Sequence, residues 1–392
     1  MNSRERFLAT MNFEPADRAP LWEFGFWGGT IRRWYAEGLP RKYGIPDWVA
    51  PGQGVRGGGA AWDHTRARDL DVQESLGLDA GMRRIPLNIY FAPLFDAEVL
   101  EEHGDWFLWR DEDGIVKRDM KDKATLPHFV RAPVDTRDDW ERLKAERLRP
   151  SLEARLPDDW PRMLRELEER DYPLAIGGQH GFYGTPRYLL GEERILTTFY
   201  DEPELIHDIN DHLANLWIAL YSEVFKQIKP DLALIWEDMC YKTGPLISPA
   251  MFRRFMLPYY QRLTSFLKDS GVNVILVDTD GDLSKLIPLF IEGGVTGIYP
   301  WEVNAGMDVV EVRKAYPRLQ MLGGIDKTKL VADKEQIDLE LAGRVPALLP
   351  QGGYVPYVDH LVPPDVPWEN FVYYRRRLAE LVHAHPPRPR AG

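Results

Sequence analysis

Short runs of aliphatic and β-branched residues recur through the second half of the chain. Each ends in a polar exit and is followed by a stretch of helical period. The sharpest is Asn273-Val-Ile-Leu-Val-Asp-Thr-Asp-Gly-Asp282, which closes in carboxylates at Asp278, Asp280 and Asp282. Unbroken apolar runs of this kind mark strands buried on both faces, as in parallel sheets. The pattern predicts strands over 173–178, 231–236, 273–277, 296–300, 319–323 and 353–358. Helices are predicted over about 202–228, 249–268, 283–293, 307–315, 335–347 and 369–383. Helices between buried strands imply parallel pairing.

The first half is less regular. A helix is predicted over 3–13, a strand over 18–25 and a helix over 28–38. Residues 39–80 read as loop, with the glycine-rich Gly52-Gln-Gly-Val-Arg-Gly-Gly-Gly59 and a helix around 68–77. Alternation over 88–120 around Asp111-Glu-Asp-Gly114 signals a hairpin, and the charged stretch 136–170 a solvated helical excursion. The β–α count, with the early unit at 19–38, approaches eight. The expected fold is therefore an α/β (β/α)8 TIM barrel over residues 1–392, with an N-terminal hairpin and a helical excursion within about 39–170. An open doubly wound sheet is the alternative, but no G-x-G-x-x-G follows an early strand.

Composition narrows the partners. A chain of 392 residues, 44% hydrophobic, can bury one large core or two small ones. The net charge of -12 offers no basic footprint for nucleic acid and is repelled by an anionic membrane surface. No stretch reaches the length of a membrane span, and the N-terminus lacks a signal-peptide core. The single cysteine, Cys240, rules out an intrachain disulfide and fits a cytoplasmic setting. Aromatic content of 12%, with 13 Trp, suits a pocket for a bulky small molecule.

In such a barrel the residues just past each strand face one mouth. Here they are Glu23, Gln179 and His180, Glu237 and Asp238, Asp278 with Asp280 and Asp282, Glu302, Asp326 and Lys327, and Asp359 and His360. Three exits read Trp-Glu: Trp22-Glu23, Trp236-Glu237 and Trp301-Glu302. The expected pocket is acidic with aromatic walls. Glu23, Trp27, Tyr183, Trp236, Trp301 and Glu302 are candidates to bind substrate, and Glu237, Asp238, His180 and Asp278 to catalyse. Carboxylates so crowded need protons, a cation or a cationic ligand. Asp282 is read as the cap of the helix at 283, and Cys240 as a buried thiol.

At this point the chain resembles the uroporphyrinogen decarboxylase superfamily. The likeness lies in Glu237-Asp-Met-Cys-Tyr-Lys-Thr-Gly-Pro-Leu-Ile-Ser-Pro249 with Met256-Leu-Pro-Tyr-Tyr260, in Asp280-Gly-Asp282, in Leu322-Gly-Gly-Ile-Asp-Lys327 and in Asp359-His-Leu-Val-Pro-Pro-Asp-Val-Pro367. The resemblance implies a (β/α)8 barrel and a homodimer. It implies either decarboxylation or methyl transfer between corrinoid proteins and thiols. The decarboxylases' Arg-Gln-Ala-Gly-Arg motif is replaced by Glu23-Phe-Gly-Phe-Trp-Gly-Gly-Thr-Ile-Arg-Arg33. An octa-anionic tetrapyrrole would also be repelled by the acidic mouth.

The methyltransferase branch binds zinc through His-x-Cys and a later Cys. Matched to this chain, those positions hold Asp278, Asp280 and His360. The resemblance thus implies a divalent metal, zinc or similar, at Asp278, Asp280 and His360, with Glu237 as fourth ligand or base. No Asp-x-His-x-x-Gly motif is present, so a corrinoid would belong to a partner protein. Three readings follow: metal-assisted methyl transfer, decarboxylation of a smaller acid, and a non-catalytic barrel that binds a ligand.

Overall fold

The computed structural model describes residues 1–61, 67–122 and 127–388; His64, one of the histidines of the irregular N-terminal stretch, lies outside them. Seven parallel strands form a curled sheet in the order Tyr354–Val355, Gln320–Leu322, Gly297–Tyr299, Ile275–Asp278, Leu232–Trp236, Leu174–Gly177 and Arg83–Arg84. The eighth position is filled by residues 23–27. On one side Val362 N–H donates to Gly25 O at 2.9 Å. On the other, Gly57 N–H donates to Phe24 O at 3.0 Å and Gly59 N–H to Glu23 O at 2.8 Å, and Met82 N–H bonds Gly58 O at 2.9 Å. The fold is a (β/α)8 barrel whose last seam is closed by short, irregular backbone. The expected strand over 18–25 is accordingly only Gly25–Trp27, paired antiparallel with Gly54–Arg56. The glycine run is a packing requirement. A Cβ on Gly57 would stand 2.3 Å from Glu23 O, and one on Gly81 2.0 Å from Gly58 Cα.

Period-two alternation divides the strand residues between two cores. Ala175, Leu232, Leu234, Val274, Leu276, Tyr299, Leu322 and Val355 line the barrel interior. Phe7 and Met11 of the N-terminal helix Ser3–Met11 join that interior cluster. Ile176, Ala233, Ile235, Ile275, Val277 and Ile298 face the helices outside.

Other expectations shift locally. The long helix is Pro203–Phe225, preceded by two short ones, Gly184–Leu190 and Glu192–Asp201. The helix expected over 249–268 breaks into Pro249–Phe255 and Leu257–Asp269, since Pro258 supplies no N–H to continue the first. Asp282 does not cap a helix: its Oδ1 accepts Ser284 N–H at 2.9 Å in a turn, and the helix starts later, at Ile287–Glu292. The hairpin around 111–114 is the centre of a four-stranded antiparallel sheet, Glu98–Glu102, Trp106–Arg110, Val116–Met120 and His128–Arg131. The excursion at 136–170 packs on the barrel instead of standing in solvent. Trp140, Leu143 and Trp160 are buried, and Trp140 Nε1 donates to Asp208 at 2.9 Å. No helix among the described residues is long and apolar enough to cross a membrane.

One tie holds the seam to the last helix, Trp368–Ala384. Glu23 lies between the inward Trp22 and Phe24, so its side chain points outward. There it is fully buried, accepting from Arg375 Nη1 at 3.0 Å and Val358 N–H at 2.9 Å. Removing one partner of a buried pair typically costs about 3–5 kcal/mol. Arg375→Met is expected to lose that much in urea unfolding, and Glu23→Gln with Arg375→Met to regain most of it. A loss below about 1 kcal/mol for the single change would show that the pair does not hold the seam.

Candidate active site

The mouth is built where the strands Leu232–Trp236, Ile275–Asp278 and Gly297–Tyr299 end. Register sets Asp278 between Trp236 and Tyr299. Asp278 shares the inward parity of Val274 and Leu276, so its carboxyl enters the barrel. The Tyr299 hydroxyl donates to it, and Arg56 lies close enough to act on its charge. Burial first, and the charge of Asp238 second, push the Asp278 carboxyl up to about 7.

Two residues on, Asp280 also faces the mouth. Its Oδ2 stands 3.6 Å from His360 Nε2, while its buried Oδ1 has no hydrogen-bond partner. Burial raises its carboxyl well above the ordinary range, and Asp238, Glu302 and Asp278 add repulsion that Lys327 partly offsets. His360 packs on Phe24 with ring centroids 5.2 Å apart. Burial, with the charges of Lys327 and Arg56, lowers it to about 3, so it is a neutral imidazole at physiological pH.

The rim is a cavity of about 270 Å³, lined by Arg187, Asp238, Cys240, Tyr241, Lys242, Leu246, Asp280 and Glu302. Asp238 adopts a left-handed φ of 49°, rare outside glycine. Arg187 Nη1 holds its carbonyl at 2.9 Å. Arg187 also lies over the Trp236 ring at 5.1 Å, and Trp236 stacks on Tyr188 at 5.1 Å. Glu302 accepts Gly281 N–H at 3.0 Å. Gly281 has φ of 84°, and a Cβ there would lie 2.5 Å from Cys240 O, so the acidic loop can lie against the 240 loop only with glycine at this place. Burial pushes the Cys240 thiol up to about 12, which leaves it without nucleophilic thiolate.

Several residues expected at the mouth are elsewhere. Glu237, next to the inward Trp236, turns outward and is fully buried. Its carboxyl accepts N–H groups of Phe182, Tyr183 and Gly184 at 2.8, 2.7 and 2.9 Å, and the Tyr260 hydroxyl. It anchors the loop after Leu174–Gly177 and has no acceptor left for a metal or a substrate proton. Glu23 is held by Arg375 outside the barrel. Tyr183 and Trp301 are buried, and both belong to the outer core. Trp27 is half-buried at the seam, its N–H on Val362 O at 3.3 Å. His180 is stacked on Tyr90 at 4.4 Å, near Arg84 rather than Asp280. Burial and Arg84 lower it to about 3.

The mouth also holds cations that the sequence pattern did not reveal. Arg84 follows the inward Met82 by two residues, and it acts electrostatically with Arg56, Tyr299 and Tyr221. Burial and the neighbouring Arg56 lower it to about 10. Its strand, Arg83–Arg84, is too short to register as apolar periodicity. Two adjacent arginines set between the buried Met82 and Ile85 are the signal that the sequence offers.

The donors do not assemble a metal site of the predicted kind. Asp280 and His360 form a pair, but Asp278 is engaged by Tyr299. Among the described residues no three His, Cys, Asp or Glu side chains converge as a ligand set.

An aspartate in the unfolded chain titrates near about 3.9, whereas Asp278 does so at about 7 in the folded protein. Between these values the folded state holds the extra proton. Its contribution to stability is complete below about pH 4 and is lost as pH rises through about 7. Asp278→Asn carries no such loss. The melting temperature of the variant relative to the natural chain should rise steadily from pH 5 to pH 8. A difference independent of pH would refute the shifted carboxyl.

Comparison with known proteins agrees with this architecture. The chain is 26% identical over 270 residues to uroporphyrinogen decarboxylase of Citrifermentans bemidjiense, covering 66% of this chain and 72% of that one. It is 29% identical over 270 residues to uroporphyrinogen decarboxylase of Geobacter sp. strain M21, with the same 66% and 72% coverage. A methyltransferase from Methanosarcina mazei superposes with a TM-score of 0.60 over 98% of this chain and 99% of that one. At 16% identity that likeness is one of fold. Residues 116–385 match uroporphyrinogen decarboxylase (URO-D) as a family, and over that span the chain belongs to the uroporphyrinogen decarboxylase family.

Proposed function

We propose that the chain is an enzyme that removes a methyl group from a small methylated substrate in the barrel mouth and passes it to a corrinoid on a separate protein. The observation that carries this reading is the pair of carboxyls, Asp278 and Asp280, both driven toward the protonated form inside the barrel beside a neutral His360. The corrinoid, when docked, supplies the nucleophile that accepts the methyl group. The residues of this chain handle the proton. As the methyl–oxygen or methyl–sulfur bond breaks, its electron pair stays on the heteroatom. Asp280 donates a proton to that atom, which leaves as an alcohol or thiol. The resulting Asp280 carboxylate is eased by Lys327, whose charge already acts on it. A cavity of about 270 Å³ suits a substrate at the small end of ligand pockets. Its acids Asp238 and Glu302 oppose a tetrapyrrole bearing eight carboxylates of its own.

A second reading rests on a different observation. Arg56 and Arg84, both acting on Tyr299 beside Asp278, set a positive field there that suits a substrate carboxylate. That arrangement suits decarboxylation of a small acid, with Asp278 returning the proton to carbon.

One assay separates the two. Purified protein is given free cob(I)alamin with a panel of methoxylated aromatics and methyl thioethers, and in parallel a panel of carboxylic acids with trapping of carbon dioxide. Methyl transfer is expected, with a rate that falls as pH rises and the Asp280 carboxyl ionises, and that drops by about 10²-fold or more in Asp280→Asn. Release of carbon dioxide without methyl transfer would replace the first reading with the second.

A further inference from the structure

Given that the rim cavity holds the substrate, as the proposed function requires, we infer that Lys242, at the tip of a hairpin lining that cavity, binds a carboxylate on the substrate. The substrate is then a small methylated acid, with its carboxylate at the rim and its methyl group at Asp280. Strands Cys240–Tyr241 and Gly244–Pro245 pair antiparallel, Cys240 opposite Pro245 and Tyr241 opposite Gly244. Only Lys242 and Thr243 are left for the turn, so the tip has little freedom. The base of the hairpin is tied to the acidic loop. Asp282 N–H donates to Tyr241 O at 2.9 Å, and Met239 N–H to Thr279 Oγ1 at 3.2 Å. Leu246 N–H closes the hairpin on Met239 O at 2.9 Å. The tip is thus fixed relative to Asp280, and Lys242 and Asp280 line one cavity.

What points to an anion is the balance of charge at the rim. Arg187 is spent within the protein. Its Nη1 holds the Asp238 carbonyl at 2.9 Å, its Nη2 lies 3.7 Å from the Asp238 carboxylate, and its guanidinium covers the Trp236 ring. Lys327 is spent on Asp359 at 3.0 Å. Glu302 accepts Gly281 N–H at 3.0 Å, and burial keeps the proton on Asp280. Among the described residues that line the cavity, Lys242 is the cation with neither an ion pair nor a hydrogen bond inside the chain. It is exposed, so water keeps it charged until a partner arrives. Beside it Tyr241, 66% exposed, and Leu246 give the cavity an apolar wall. A ring or chain lies on that wall while the ammonium takes the carboxylate in a charge-assisted hydrogen bond. Asp238 and Glu302 limit the charge accepted: one carboxylate is matched by Lys242, and a second is repelled. The bound carboxylate also favours the proton on Asp280, the state that the proposed transfer needs.

The test reads binding apart from chemistry. The full chain, with no corrinoid present, is titrated calorimetrically with 4-methoxybenzoate, methoxyacetate and their carboxamides, each amide being the uncharged twin of its acid. The natural chain is expected to bind each acid about fivefold or more tighter than its amide, the size of an ion pair at an exposed rim. Lys242→Met should abolish that preference, Lys242→Arg should keep it, and added salt should weaken it. Equal binding of acid and amide by the natural chain would overturn the inference. So would a preference that Lys242→Met retains, or failure of both acids to bind. Turnover with cob(I)alamin is a separate readout. Acid preference without methyl transfer keeps the carboxylate recognition and removes the demethylation, whereas methyl transfer from acid and amide at equal kcat/KM does the reverse.

Discussion

A carboxyl group cannot leave water without a proton, a cation or several hydrogen-bond donors, and this barrel takes many carboxyls out of water at once. Glu23 takes the cation Arg375. Glu237 takes three backbone N–H groups and the Tyr260 hydroxyl. Asp359 takes Lys327 at 3.0 Å and Val303 N–H at 3.0 Å. Each of these ties also fixes a piece of architecture: the barrel seam, the loop at 181–184, and the junction of the last two strand exits. At the mouth what remains is Asp278 and Asp280, whose partners are too few to hold them ionised. They keep protons, so the site's chemistry follows from what the other acids leave uncompensated.

The structural ties and the protonated pair depend on each other. Glu237 N–H donates to Asp278 O at 2.9 Å, so the strand bearing the clamped acid is the one that sets the depth of the protonated one. Thr279 Oγ1 accepts Met239 N–H at 3.2 Å, joining the same two exits one residue further on. Lys327 serves Asp359 directly and Asp280 at longer range. A change at Glu237 or Asp359 would thus reach the mouth without either residue touching a substrate.

The barrel itself was legible, because buried parallel strands are written as apolar runs and those runs survive at 174–177, 232–236 and 275–278. The seam was not. It is made by Gly25–Trp27, Gly54–Arg56 and Arg83–Arg84, pieces too short for any period to show, and its glycines are set by approaches to distant backbone. The acidic mouth was half legible. Position after a strand points to the mouth, yet adjacent residues on a strand cannot both face inward. In Trp22-Glu23 and Trp236-Glu237 the tryptophan takes the inward place or its half-buried equivalent and the acid goes outward. Trp301 belongs to the outer core, and Glu302, beyond it, lines the cavity. Applying parity to the same residues would have kept Asp278 and set aside Glu23 and Glu237. Arg56 and Arg84 lay outside the apolar-run signal altogether.

In the proposed reaction Asp278 and Asp280 differ in a way that divides the work between them. Asp278 sits on the last residue of its strand, fixed by register to Trp236 and Tyr299, with the Tyr299 hydroxyl on its carboxyl. It does not line the cavity, which suits a group that sets the local charge. Asp280 is beyond the strand, touches the cavity, keeps one buried oxygen without a partner, and has the neutral His360 within 3.6 Å. Proton transfer to a bound molecule needs a group within reach of it and a neighbour that can share the charge afterwards. Only Asp280 meets both conditions. Asp278, by remaining neutral below about pH 7, spares Asp280 the repulsion that would otherwise hold its proton back. The pair therefore acts as a single titrating unit in which one carboxyl gates the acidity of the other.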